Sequence, residues 1–226
     1  MSSSSRSQKA LEYSVMGLKK KSNASDDIVI QQEEKRSAQR TPQQLVADLA
    51  SPDSSVRRWA VRDLSGDENA HKAFLARLPA ENDPTVIEAL FSALEHNMTD
   101  ADASQLIGML KSEQVQLRNG AIEIMQQNPD LFAHNVHKLM QDDDPDTRIF
   151  CVDIIGAVAH PDALNWLHHI ALNDDNENVV GTALDKLAEV SDSSTHEILQ
   201  TVESRFPNHA YISFVISLIR NQLGSA

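Results

Sequence analysis

The chain has 226 residues and a net charge of −13, and 41% of its residues are hydrophobic while only 4% are aromatic. A core made from this composition would consist mainly of Leu, Ile, Val and Ala, which is typical of packed helices, and seven Gly and eight Pro are too few for a turn-rich all-β fold. The single cysteine, Cys151, excludes an intramolecular disulfide framework and favours a reducing compartment.

The charge is distributed unevenly along the chain. Residues 1–40 carry eight Lys/Arg and five Asp/Glu, whereas residues 41–226 carry twelve and twenty-eight, which gives net charges of about +3 and −16. An acidic body of this kind would repel nucleic-acid phosphates, so no nucleic-acid partner is expected. The longest apolar-rich segment, residues 211–219, is about half a membrane span, and the N-terminus lacks the apolar region of a signal peptide. We therefore expect a cytoplasmic protein without integral membrane association.

Residues 1–40 form a Ser-rich polar tail that is predicted to be mostly disordered and flexible. Within it, Leu11, Val15 and Leu18 are spaced i, i+4 and i+7 and precede three lysines. This spacing predicts a short helix that could dock on a partner or on an anionic surface, and a leader without a role is the alternative. Residues 28–40 are a second possible helix.

A nine-residue motif recurs through residues 41–226. In each copy the apolar residues fall at offsets 0, 4, 5 and 8, which is the spacing of one helix face. The copies begin at Val56, Val86, Leu117, Thr147, Val179 and, in a degenerate form, Ala210. In the sixth copy, AYISFVISL, this register assigns Phe214, Val215 and Leu218 to the core.

A second amphipathic run precedes each copy. These runs are residues 42–50, 69–78, 102–110, 129–140, 161–172 and 195–206. Each unit of about 31 residues is therefore predicted to be a helix A, a short acidic or Pro-containing turn and a helix B. One such unit cannot bury its apolar face alone, so the units must stack.

The turn and the helix that follows it resemble the HEAT-like repeat family, in the short bacterial form that also occurs in phycobiliprotein lyases. The residues that carry the resemblance are SPDSSVRRWAVRDL (51–64), SEQVQLRNGAIEIM (112–125) and DDDPDTRIFCVDII (142–155). The resemblance implies an all-α superhelix, or solenoid, of six helix pairs over residues 41–226. It implies a fold and no particular chemistry.

The acidic turn at residues 142–146 is the first candidate for chemistry. An EF-hand loop requires Gly where Thr147 stands, and Pro145 lies inside the loop. A capping role fits better, because Asp144 or Asp146 would accept from the first N–H groups of helix B. Equivalent acids are Asp53, Asp83, Glu113 and Asp174–Asp175. A cation at this turn stays an open alternative.

Three arginines, Arg57, Arg118 and Arg148, share offset 1 of the motif. They could form an anion-binding row. The alternative, which the resemblance implies, is that each arginine pairs with turn acids of its own or the neighbouring repeat.

Histidine and cysteine offer no convincing catalytic or metal site. A zinc site needs three or four converging ligands, and the sequence offers only two closely spaced pairs of histidines, His134 with His137 and His168 with His169. We therefore predict that these four histidines are exposed to solvent and bind no metal. Cys151 lies at the apolar offset 4 and is predicted to be buried and inert. We therefore predict no catalytic residue, no metal and no cofactor.

In such solenoids the B helices line the concave surface, and this is the predicted partner-binding surface, with offsets 2 and 6 facing outward. Offset 2 is Arg58, Glu88, Asn119, Ile149, Gly181 and Ile212, and offset 6 is Arg62, Ser92, Glu123, Asp153, Asp185 and Ile216. This series predicts a groove that is basic at Arg58 and Arg62, acidic at its centre and apolar at its C-terminal end. A partner with a basic segment would complement it.

The last helix has an unusual pattern, because Ile212, Ile216 and Ile219 occupy positions that are polar in most other copies. Terminal repeats normally present a polar outer face, so this pattern favours a homodimer or a partner contact through the C-terminal helix. The alternative is a last helix that folds inward against its own A helix. The sequence as a whole predicts a non-catalytic scaffold or adaptor that binds another protein, and a bacterial signalling complex is the hypothesis for its setting. A subunit of a chromophore-lyase type of enzyme is the rival hypothesis, and it would require acids or histidines converging in a closed cleft.

Overall fold

The computed structural model describes residues 40–95 and 98–224, and these contain twelve α-helices and no β-strand. The helices are α1 (Pro42–Asp48), α2 (Ser54–Leu64), α3 (His71–Arg77), α4 (Pro84–Ala93), α5 (Asp100–Met109), α6 (Val115–Gln127), α7 (Pro129–Met140), α8 (Pro145–Ala157), α9 (Ala163–Asn173), α10 (Glu177–Val190), α11 (Thr195–Arg205) and α12 (Ala210–Gly224). Short 3₁₀ helices, Glu68–Ala70 and Leu78–Ala80, flank α3. Within the described ranges, no helix combines the length and apolar character that a membrane crossing requires. The predicted docking helix with Leu11, Val15 and Leu18 lies outside the described residues.

The helices form six consecutive pairs, which confirms the predicted α-solenoid. In each pair, the odd-numbered helix packs against the even-numbered helix that follows it. Each even-numbered helix also packs against the next one, from α2 through to α12. Neighbouring odd-numbered helices pack in the same way from α3 to α7 and again from α9 to α11. The two sets of helices enclose one continuous apolar core, as stacked repeats require.

Small residues at offset 4 allow the close packing of the even-numbered helices. Ala60, Ala121, Cys151 and Ala183 occupy this offset, and all four are fully buried. Larger side chains such as Phe74 and Phe132, on the odd-numbered helices, fill the remaining core volume. The core is thus assembled from a repeated small position and variable large ones, which is how interdigitating helices reach close packing.

Asp or Asn side chains cap most of the even-numbered helices. The Asp53, Asp83 and Asp144 carboxylates accept from backbone N–H groups two residues later, at 2.9, 2.9 and 3.1 Å. Asn176 does the same for α10, at 2.9 Å. Asp144 is therefore the cap of α8. The prediction was wrong for Glu113 and Asp174–Asp175, because the N-cap residues there are Gln114 and Asn176.

A second polar position lies two residues before each cap. Its side-chain oxygen accepts the backbone N–H of the cap residue, at 2.9 to 3.2 Å, and so closes the turn. The residues at this position are Ser51, Glu81, Ser112, Asp142 and Asp174. The turns before α2, α4, α8 and α10 are therefore held by two successive side-chain caps, of which the sequence pattern predicted one, whereas Gln114 makes no side-chain cap before α6.

The last helix is packed in a different register from the predicted one. Ile212, Ile216 and Ile219 are fully buried, whereas Phe214 and Leu218 are 63% and 41% exposed. The sixth copy of the motif therefore begins at residue 211, one residue later than predicted, and Val215, Ile216 and Ile219 occupy offsets 4, 5 and 8. The outward placement of the three isoleucines was wrong, because one residue of slip turns a helix by about 100°.

Candidate partner-binding surface

The outward side of the even-numbered helices, which carries offsets 2 and 6, is the B-helix surface. In the first three pairs all six of these side chains are exposed, as predicted: Arg58, Arg62, Glu88, Ser92, Asn119 and Glu123. In the last three pairs they are partly or fully buried: Ile149, Asp153, Gly181, Asp185, Ile212 and Ile216. The accessible part of the predicted surface is therefore its N-terminal half.

Contacts between neighbouring even-numbered helices close the C-terminal half. Lys186 of α10 reaches across to α8, where its Nζ lies 3.4 Å from the Asp153 carboxylate. The Tyr211 hydroxyl of α12 donates to the Asp185 carboxylate at 2.5 Å, and the Tyr211 ring lies against Gly181. Asp153 and Asp185, which the sequence placed at the acidic centre, are thus partly exposed but already paired with residues of the following repeat.

A groove of about 420 Å³ lies between α4 and α6 on the accessible half, and we name it the central groove. Ile87, Phe91 and Ile124, which are nearly buried, form its apolar floor. Glu88, Glu95 and Glu123 lie at its edge. The lining residues that the structure describes include no Lys, Arg or His, and together they carry a formal charge of −3 at neutral pH.

Gly120 of α6 determines how closely the floor can pack. A Cβ atom at this position would lie 2.3 Å from Cε2 of the Phe91 ring, so only glycine leaves room for the ring in its present position. The Phe91 ring therefore fills the space between α4 and α6 at the floor of the groove, and Phe91 is only 8% exposed.

Buried and partly buried ion pairs link neighbouring repeats on the turn side. Arg57 of α2 donates from Nε and Nη2 to the buried carboxylate of Glu81, both at 2.7 Å, and Arg77 donates to the same group at 2.9 Å. Arg148 of α8 binds Asp174 in the same way, at 2.6 and 3.0 Å. Arg57 and Arg148 thus pair with acids of the following repeat. For these two arginines, this confirms the predicted pairing with turn acids, which was the alternative to an anion-binding row.

The third arginine of the row is different. Arg118 donates from Nη1 to the backbone carbonyl of Ser112 at 2.6 Å and forms no ion pair with a carboxylate of residues 40–95 or 98–224. Asp142, which stands where Glu81 and Asp174 stand in their repeats, pairs with Lys111 at 2.8 Å. Burial disfavours the charged form of Asp142, but the hydrogen bonds from Lys111 and from the backbone of Asp144 leave its pKa below the ordinary value.

The network around Glu81 has a large effect on its ionisation. Burial raises the pKa of this carboxyl, but the hydrogen bonds from Arg57, Arg77 and two backbone N–H groups outweigh it. The net result is a pKa lowered from 4.5 to about 2. Sequence reasoning missed Glu81, although its place two residues before the cap Asp83 matches Asp142 and Asp174 and could have marked it.

Two of the four carboxylates in the acidic turn at residues 142–146 are engaged within the protein. Asp144 caps α8, and Asp142 binds Lys111 and closes the turn. Arg148 donates to the Asp142 carbonyl at 2.8 Å. Across the described ranges, no cluster of three His, Cys, Asp or Glu side chains is arranged to hold a metal ion.

Three of the four histidines in question, His134, His137 and His169, are exposed as predicted. The prediction was wrong for His168, which is buried with its Nε2 atom 3.0 Å from the Thr195 hydroxyl. Burial lowers the pKa of His168 and so disfavours the protonated imidazole. Cys151 is buried, as predicted, and burial raises the pKa of its thiol.

Comparison with known proteins matches one part of the chain to a repeat family. Residues 133–206 match the family model for HEAT repeats. No curated protein matches the chain. Among solved structures, an engineered protein is 18% identical, with 83% of this chain and 100% of that one covered and a TM-score of 0.36. The complex of CpcE and CpcF of phycocyanin lyase from Nostoc sp. PCC7120 is 15% identical, with coverage of 82% and 96% and a TM-score of 0.32. Escherichia coli YibA is 16% identical, with coverage of 90% and 99% and a TM-score of 0.34. The family match, which runs from within α7 to the end of α11, confirms the predicted resemblance of this chain to HEAT-like repeats.

Proposed function

We propose that this protein is a non-catalytic adaptor that binds a partner protein on the N-terminal half of its B-helix surface. The observation that carries the proposal is the central groove, an acidic and accessible depression between two repeats of a solenoid. A basic segment of the partner is the natural complement, because opposite charges favour encounter and orientation. Arg58 and Arg62, exposed on α2, would then face an acidic stretch of the same partner.

We infer no catalytic role for the chain. A chromophore-lyase type of enzyme would need ionisable groups that converge in a closed cleft. Within the described ranges, ionisable side chains converge at two places. Glu81 with Arg57 and Arg77 forms a network that is buried and internally neutralised. The second place is an open depression, not a closed cleft, and there Asp174 already binds Arg148 and Asp142 already binds Lys111. The glutamates of the central groove instead stand at the edge of an accessible surface.

A cytoplasmic location is part of the proposal, supported by the single buried cysteine. A role in a bacterial signalling complex stays a prediction.

We also propose a second contact surface on α12, through which two copies of the chain could associate. Tyr211, Phe214 and Leu218 are spaced i, i+3 and i+7, so they share one face of the helix, and each is more than 40% exposed. This face replaces the one predicted from Ile212, Ile216 and Ile219.

The adaptor proposal is tested by selecting peptides from a random-sequence display library on the immobilised protein. Lys/Arg-rich peptides should be enriched, and their affinity should fall as salt is raised. The charge-reversed variant Glu88→Lys/Glu123→Lys should bind them about tenfold or more weakly. The matched control Asp143→Lys/Glu197→Lys, which changes the same charge away from the groove, should bind them like the wild type. Selection of neutral or acidic peptides, or equal binding by both variants, would refute the proposal.

The α12 contact is tested by the mass of the protein in solution. Light scattering should give a dimer for the wild type and a monomer for Phe214→Asp/Leu218→Asp. Both substituted residues are exposed, so the variant should keep its helical circular dichroism and its unfolding midpoint. A wild type that is monomeric at every concentration removes self-association from the proposal.

A further inference from the structure

We propose that the central groove holds an arginine side chain of the partner, with the aliphatic stem against the floor and the guanidinium bonded to the glutamates at the edge. This inference rests on the adaptor function proposed above and specifies the residue that the groove recognises.

The dimensions of the groove suit a single long side chain. Its volume of about 420 Å³ is near the lower end of the range of small-ligand sites, about 300–1,000 Å³. The groove opens to solvent between α4 and α6, so the peptide backbone can remain outside while one side chain enters. Long cationic side chains place their methylene groups on apolar surface and keep the charged end polar, which matches an apolar floor below acidic edges.

No ion pair among the described residues compensates the charge of the groove. Among the ion pairs within residues 40–95 and 98–224, none involves Glu88, Glu95 or Glu123. By contrast, the acids on the C-terminal half, Asp153 and Asp185, already have partners. In this groove an incoming cation can therefore bind several carboxylates without displacing a described cationic side chain of the protein.

Arginine fits this arrangement better than lysine does. Its planar guanidinium has five N–H donors and can bond carboxylates on more than one side, whereas an ammonium is a compact, strongly hydrated charge. The guanidinium also loses less hydration when it lies close to an apolar surface such as the exposed edge of Phe91. Because Gly120 allows Phe91 to pack tightly between the helices, the floor is formed before any ligand arrives.

The test is a nuclear magnetic resonance titration of the full chain with three blocked tripeptides. They are acetyl-Gly-Arg-Gly-amide, its citrulline counterpart, which is neutral and nearly isosteric, and its lysine counterpart. The arginine peptide should shift the backbone amide signals of Glu88, Gly120 and Glu123 in a saturable way. The citrulline peptide should bind about tenfold or more weakly, because it lacks the charge, and lysine should lie between the two.

Two variants localise the effect. Glu88→Gln/Glu123→Gln should weaken binding of the arginine peptide about tenfold, and Asp143→Asn/Glu197→Gln should leave it within about twofold. All four residues are exposed, so both variants should fold, and an unchanged amide spectrum outside the groove verifies this. Equal binding of arginine and citrulline, equal binding by the two variants, or shifts at other residues would overturn the inference.

The outcome separates this inference from the adaptor proposal. If the library yields basic peptides that need Glu88 and Glu123 but tolerate citrulline in place of every arginine, the adaptor proposal stands and the arginine site is refuted. If the tripeptide titrates the groove but no basic peptide is selected, the adaptor proposal fails while the recognition of arginine stands.

Discussion

Replacing Glu81 by glutamine tests how strongly a buried carboxylate joins the first two repeats. The carboxylate is fully buried and accepts hydrogen bonds from Arg57, from Arg77 and from the backbone N–H groups of Asn82 and Asp83, all at 2.7 to 3.1 Å. Glutamine keeps the shape of the side chain but removes the charge and replaces one acceptor oxygen by a donor. The Arg57 guanidinium, itself nearly buried, would then face an N–H group in place of an oxygen.

The size of the effect follows from the pKa of Glu81. A pKa of about 2 in the folded protein, against 4.5 for an unperturbed Glu, corresponds to about 3 kcal/mol of folding free energy. Because the folded pKa is the lower one, this contribution is complete above about pH 4.5 and is lost as the pH falls toward about 2. Breaking a buried ion pair costs about 3–5 kcal/mol in other proteins, which agrees in magnitude.

Urea unfolding followed by circular dichroism, together with hydrogen exchange of the amides in α2, measures the loss. Glu81→Gln should lower the free energy of unfolding by about 3 kcal/mol at neutral pH and by only about 2 kcal/mol near pH 3.5. Exchange in α2 should accelerate most, since Arg57 lies on that helix and repeats can open separately. The control Glu88→Gln changes an exposed glutamate and should stay within about 0.5 kcal/mol of the wild type. If Glu81→Gln matches that control, the ion network does not stabilise the junction.

Three further predictions concern single positions. Gly120→Ala should destabilise the protein by about 1–3 kcal/mol, because the new methyl group would collide with Phe91. Gly108→Ala should stabilise it by about 0.5–1 kcal/mol, because a methyl group there would meet no neighbouring atom within 4 Å. If urea unfolding ranks the two variants in the opposite order, the described packing between α4 and α6 is contradicted. His168 has a lowered pKa in the folded state, so the contribution of this residue to stability should be constant above about pH 6.5 and fall as the pH drops below it. A nuclear magnetic resonance titration of the imidazole should have its midpoint below that pH, and a midpoint at the ordinary value would contradict the burial of His168. Cys151 should be inert to a thiol reagent in the folded protein and react rapidly in urea, and fast reaction without urea would contradict the packing of α8.

Local features of this fold could be predicted from sequence with good accuracy. The caps at Asp53, Asp83 and Asp144 involve residues two positions apart, so the turn signature alone contains the information. The exposure of Glu88 and Glu123 follows equally directly from helical periodicity. These are the features that depend on one helix and one turn.

Features that depend on the distance between two repeats could be predicted only in part. That Arg57 and Arg148 pair with turn acids was predictable, but the choice of Glu81 and Asp174 depends on contacts over 24 and 26 residues. By analogy with these two pairs, Arg118 would be expected to bind Asp142, but Asp142 forms its ion pair with Lys111. The central groove depends on such a contact as well, since Gly120 matters only because Phe91 of the preceding repeat lies against it.

The register of α12 shows why an apolar pattern alone can fail at the end of a solenoid. In AYISFVISL nearly every position is apolar, so a start at Ala210 and a start at Tyr211 both place three large apolar residues at offsets 4, 5 and 8. The contact with α10 favours the second. Gly181 has no side chain, so the Tyr211 ring can lie against α10, and the hydroxyl then reaches the Asp185 carboxylate. With Tyr211 fixed there, Ile212 and Ile216 turn into the core and Phe214 turns outward. A glycine at offset 2 of α10 thus selects the apolar face that α12 presents to solvent, and with it the residues available for association.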